Sequence, residues 1–105
     1  MATTPTILFR GAATTSVGTV LYTVPASTTA IVSSIAVTNT ASSAATYTLA
    51  MGTAGANTNM ATTVAIAANT TVFIDLKQVL TTTMTITGGA SAATVNFHIS
   101  GIQIV

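Results

Sequence analysis

Of the chain's 105 residues, three carry a charge at neutral pH: Arg10, Asp75 and Lys77. An ordinary soluble domain is about a quarter charged, so acid–base catalysis, metal capture and phosphate binding all lack their usual parts, and a chain without cysteine has neither thiol chemistry nor disulfides. In place of charge stand 25 Thr and 19 Ala, a composition that points away from enzymes and toward a protein acting through shape and contacts.

Residues 1–6 are expected to form a flexible or swapped arm ahead of a single domain at 7–105. The first strand is expected at 7–10, Ile7-Leu8-Phe9-Arg10, before the turn Gly11-Ala12-Ala13, and the second at 17–24 before Pro25-Ala26-Ser27. Thr, Val and Ile are stiff at χ1 and suit the pleated strand. Period-two alternation then puts Ile31, Ile35 and Val37 on one face of a strand at 31–38. After a turn at 39–43, Tyr47, Leu49 and Met51 oppose Thr46 and Thr48 in a strand at 45–51.

A Gly- and Asn-bearing turn at 52–59 leads to a short strand at 64–67. In 72–77, Val72, Ile74 and Leu76 alternate with Phe73, Asp75 and Lys77, and 76–80 has room for one helical turn at most. A strand at 83–87 sets Thr83, Thr85 and Thr87 in a row, and Gly88-Gly89-Ala90-Ser91 turns the chain into a last strand at 94–105. There Val95, Phe97 and Ile99 share a face while Ile102 and Ile104 have the opposite parity. Either a bulge at Gly101 keeps the apolar side inward, or the strand is buried on both faces. About eight short strands imply an all-β fold, a single antiparallel β-sandwich or jelly roll.

Val, Ile, Leu and Phe total 27 residues, about a quarter of the chain and above the roughly 20% below which disorder becomes the expectation. Mean hydropathy is +0.76, yet Thr, Ser, Asn or Gly interrupts every apolar run well short of the roughly 18 residues a spanning helix needs, so no membrane partner is expected. The N-terminus lacks a basic segment followed by an apolar one, and synthesis in a host cytoplasm is the default. Two cations would neutralise about two phosphates, too few for nucleic-acid affinity.

Chemistry has few places to reside. A hydrolytic triad would have to combine Asp75, His98 and a hydroxyl with no nucleophile elbow around it. Strand alternation sets His98 on a polar, outward side with Asn96 and Ser100. One His and one Asp cannot fill the three or four positions of a metal site unless a symmetry axis gathers copies, so neither metal nor cofactor is expected. Asp75 and Lys77 share a strand face, and Arg10 is placed to pair with Asp75 across strands, the three either forming an incidental solvated pair or marking an intersubunit contact. The Thr row at 83–87 suggests an ice-binding array, against which stands a plain hydroxyl-bearing solvent face.

A surface near zero net charge does little to repel copies of itself, and its strand edges lack protective Lys. Such a chain favours assembly into a closed oligomer or lattice. Leu21-Tyr22-Thr23-Val24-Pro25-Ala26, the run from Thr29 through Asn39, and the closing Val95-Asn96-Phe97-His98-Ile99-Ser100-Gly101-Ile102 resemble small virion proteins of tailed bacteriophages. These include head decoration (cement) proteins, some from cyanophages, as well as tail and fibre modules. This sequence has Ala26-Ser27 where that group commonly has a Gly, and Thr81-Thr82-Thr83 where a Gly-Asp turn is frequent.

The resemblance implies a structural protein on the outer surface of a virion capsid, with the major capsid protein and copies of itself, as trimer or dimer, for partners. Ile7, Leu8, Phe9 and Arg10 are the expected contact residues, extending onto a neighbour by strand addition, with the sandwich folded even without residues 1–10. A short chain without an anchoring domain favours decoration over a fibre. The alternative, a receptor- or glycan-binding tail or fibre module, would need an aromatic platform, for which Tyr22 and Tyr47 are the candidates. An ice-binding or adhesive protein is the third reading.

Overall fold

The alternation resolves into eight strands: β1 (Thr3–Ala12), β2 (Val20–Thr23), β3 (Thr29–Asn39), β4 (Ala45–Thr53), β5 (Thr58–Ile66), β6 (Thr70–Leu80), β7 (Met84–Ala90) and β8 (Val95–Ile104). They are seen in a computed structural model that describes residues 2–53 and 55–105. All pair antiparallel, in two four-stranded sheets ordered β1-β8-β3-β6 and β2-β7-β4-β5. The pairing is nested, first with last, second with seventh, third with sixth, fourth with fifth, as in one long hairpin wound around a core. The two sheets form a β-sandwich, as the strand pattern implies. The stretch 76–80 stays extended within β6.

Inward residues of the first sheet, Ile35, Val37, Val95, Phe97 and Ile99, meet Tyr47, Leu49 and Ile86 of the second. Tyr47 packs edge-on against Phe97, with ring centroids 6.3 Å apart and planes at 73°, and each such buried side chain contributes about 1.5–3 kcal/mol. Asn39 takes the next inward position after Ile35 and Val37 and is fully buried. Its amide nitrogen donates to the Ser43 carbonyl at 2.8 Å and lies 3.4 Å from those of Ile66 and Ala67. Its oxygen accepts from Ala41 N–H at 3.1 Å and the Thr94 hydroxyl at 3.2 Å. One side chain therefore ties together three turns at one end of the sandwich.

The parity change expected at Gly101 is absorbed by its neighbours instead. β8 runs in unbroken register, while β1 carries one extra residue between Ile7 and Phe9, and β3 one extra, Ser33, between Val32 and Ser34. At the same level β6 carries Leu76 and Lys77 opposite Ser33. The bulges let Leu8 and Phe9 both turn inward and shift the inward set of β3 from Ala30 and Val32 to Ile35 and Val37. Ile31, expected to share a face with Ile35, thus faces outward, as does Ile102 beside it. Gly101 lies where this distortion is tightest: a Cβ there would stand 2.1 Å from the Ile31 carbonyl oxygen.

Thr3 to Thr6, assigned in sequence to an arm, pair within the chain along Ile104 to Gly101 of β8. The two ends are linked, Ala2 N–H donating to the Val105 carbonyl at 3.2 Å and Val105 N–H to Ala2 at 2.9 Å. Four non-glycine residues among those described hold left-handed backbone: Ser27 at φ 54°, Asn69 at φ 52° and Thr83 at φ 69° in turns, and Thr63 at φ 47° within β5.

Three outcomes are expected. Gly101→Ala forces the Ile31 backbone aside and lowers stability by about 1–3 kcal/mol or more, seen as a lower urea midpoint; an unchanged midpoint would remove the close approach from the account. Thr83→Gly relieves a left-handed β-branched residue, worth roughly 1–2 kcal/mol, against a glycine entropy cost of roughly 0.5–1, so the midpoint should rise. Burial pushes the Tyr47 phenol above its ordinary value. The unfolded chain then ionises first, so stability is intact below about pH 10 and declines as pH rises toward the folded value. Urea titrations between about pH 9 and 11.5 should show that decline in the native chain and a shallower one in Tyr47→Phe.

Candidate assembly surface

The outward residues of the first sheet form aligned rows across its four strands. Arg10, His98, Ala36 and Phe73 make one row, and Ile7, Ser100, Ser34 and Asp75 the next. Beyond the bulges, Pro5, Ile102, Ile31 and Val79 form a wholly apolar row. Exposure is high at its margins: Phe73 76%, Val79 60% and Ile7 58%. A shallow open groove of about 410 Å³ follows the bulge line, with Pro5, Ile7, Ser33, Ser100 and Ile102 on its walls. A second hollow lies beside Ser33, Asp75, Leu76 and Lys77.

The six residues singled out in sequence divide. Ile7 and Arg10 are exposed on β1, and Asp75 and Lys77 on β6, the two edge strands of this sheet. Leu8 is 6% exposed and Phe9 packs against the core, because the β1 bulge turns both inward; neither side chain is free to reach a neighbour. Residues 3–10 belong to β1 and pair along β8 as part of the sandwich. Arg10 does not pair with Asp75: two strands intervene, roughly 14 Å at about 4.8 Å per strand. Its cross-strand partner is His98, which faces outward as alternation requires.

Other candidate chemistry disperses. Among the described residues no three of His, Asp, Glu or Cys come together. Tyr47 is 3% exposed, and the half-buried Tyr22 hydroxyl accepts from Gln103 Nε2 at 2.6 Å, linking β2 to β8. Tyr47 is thus closed to sugar stacking, while Tyr22 keeps part of its ring exposed. The Thr row at 83–87 is not a flat array either. Thr83 lies in the turn before β7, and Thr85 is 4% exposed beneath Asn57, whose amide reaches the Thr85 and Thr87 hydroxyls at 3.1 Å each. Turned to satisfy its surroundings, that amide also donates to the Gly52 and Thr53 carbonyls at 3.1 and 2.7 Å.

Sequence reasoning missed the outward row Pro5, Ile102, Ile31 and Val79. Its signal was the parity change at Gly101, which marks where apolar residues cross to the outside.

No family model and no curated protein matches the chain. Among solved structures it is similar to a chain of the T13 IBDV viral particle, at 11% identity and TM-score 0.55, over 97% of this chain and 29% of that one. It is also similar to a chain of infectious bursal disease virus, Gx strain, at 13% identity and TM-score 0.57, over 97% and 30%. This chain spans less than a third of either neighbour's length, and what it shares with them is its fold: a sandwich like this one also forms part of chains found in viral particles.

Proposed function

We propose that the chain is a structural virion protein of the head decoration type, without catalytic activity, which binds the outer lattice of an icosahedral capsid and stabilises it. The observation that carries this reading is the correspondence of nearly the whole chain with part of chains from viral particles. The nested order β1-β8-β3-β6 and β2-β7-β4-β5 supports the jelly-roll form of the sandwich, a fold used in viral capsids. The sequence resemblance to phage head proteins supports the decoration role within that class, with the major capsid protein as partner. A surface with three charges suits a component packed among neutral neighbours, where apolar burial and strand-edge pairing supply the contact. Strand addition along the open edge of β1 needs only its backbone, so the inward turn of Leu8 and Phe9 leaves that route available.

Contacts of this kind resist salt, since about 1 M NaCl shortens the screening length to roughly 3 Å and weakens only charge-driven binding. Particles washed at that salt should therefore retain the protein, and gel densitometry should give hundreds of copies per particle. Release by salt would overturn the contact chemistry. A handful of copies would place the chain in a tail or fibre instead.

A further inference from the structure

The outer face of the first sheet presents its residues in an order that complements itself. Across the sheet, the apolar row runs Pro5, Ile102, Ile31, Val79. Turned over about a twofold axis parallel to the strands, a second copy lays this row on itself in reverse, Pro5 on Val79 and Ile102 on Ile31. The same operation sets β1 of one copy over β6 of the other. Arg10, in the row of Phe73, then lies over the partner copy's exposed ring, a cation–π arrangement. Asp75 stands one row further along β6, about 7 Å away and within reach of a guanidinium on its long stem. A twofold axis perpendicular to the strands and centred on the Ser100 row would instead lay the apolar row on the row of Arg10, His98, Ala36 and Phe73.

We propose that this face pairs with the same face of a second copy about a twofold axis parallel to the strands, with apolar contact at Val79 and Ile31 and Arg10 set against Phe73 and Asp75. Arg10 on one edge strand complements Asp75 on the other, with Lys77, also on β6, lying further from the row of Arg10, so each Arg10–Asp75 pair forms twice in an isologous contact. Four strands about 4.8 Å apart and roughly 33 Å long provide a plate of about 600 Å², below the roughly 800 Å² per partner of a standard interface and in the range of a weak, concentration-dependent one. The pairing takes the structural reading above as its setting but can be tested apart from it.

Sedimentation of the purified chain over a concentration series should show conversion from 10.4 kDa to twice that mass. Val79→Lys, an exposed change that leaves the core untouched, should weaken the association at least tenfold. Arg10→Asp and Asp75→Arg should each weaken it, and the double variant should recover most of the loss; circular dichroism checks that each remains folded. A monomer at every concentration, or indifference to Val79→Lys, overturns the pairing. Failure of the double variant to recover overturns the orientation. A native chain that stays monomeric yet decorates particles defeats the pairing alone, whereas a dimer that never binds particles defeats the capsid reading alone.

Discussion

The sandwich depends on keeping one parity inward along strands of 10 to 11 residues in its first sheet. Strand parity allows no drift: an uncorrected slip of one residue exchanges the core face for the solvent face. β8 holds its register throughout and keeps Gly101 inward, and β1, β3 and β6 insert extra residues at that level to restore their own apolar sets. A side chain on Gly101 would collide with the Ile31 carbonyl, so the three strands can make their correction at one level only because β8 presents bare backbone there. The same correction sends Ile31 and Ile102 outward. Core packing and the apolar outer row are two results of one distortion.

Threonine has a second use besides favouring the strand. Many hydroxyls link turns that are distant in sequence. Thr82 accepts from the Thr28 backbone N–H at 3.2 Å and donates to its carbonyl at 3.0 Å, holding the β2–β3 and β6–β7 turns together. Thr94 donates to the Asn39 hub, and Thr48 accepts from Thr63 N–H at 3.0 Å across β4 and β5. No buried side-chain polar atom among the described residues lacks a partner. Neutral hydroxyls can perform this cross-linking beneath neighbouring molecules without the desolvation cost of a buried ion pair.

Strand number, class and most inward positions were legible because β-branched residues and period-two alternation operate locally: Tyr47, Leu49 and Met51 are buried as their spacing implies, and Phe73, Asp75 and Lys77 face out. What was not legible depends on relations between strands. Gly101 marked the level of the parity change, but whether its own strand or its neighbours would bulge is decided by cross-strand packing. Leu8 and Phe9, adjacent and both apolar, give no parity of their own, and the bulge that turns both inward appears only against β8. Arg10 and Asp75 could be paired only by guessing strand order, and the nested wiring puts them on opposite edges. Asn39 was read as the start of a turn, which its bonds to Ala41 and Ser43 fit, but its burial depends on Ile66, Ala67 and Thr94, 27 to 55 residues away.

The two outer faces differ in a way that bears on assembly. Over the second sheet, the β1–β2 loop folds back so closely that a Cβ on Gly89 would stand 2.4 Å from the Ser16 carbonyl oxygen, and Asn57 covers Thr85 and Thr87. Loops stand where a flat partner would have to sit. The first sheet carries no comparable cover at its rows of Ile7 and Ile31, and all three charges of the chain lie on its edge strands. In a chain so poor in charge, ionic groups contribute little to solubility wherever they are placed. Gathered on the margins of the uncovered face, they can set the register and direction of a contact whose affinity comes from the apolar rows between them.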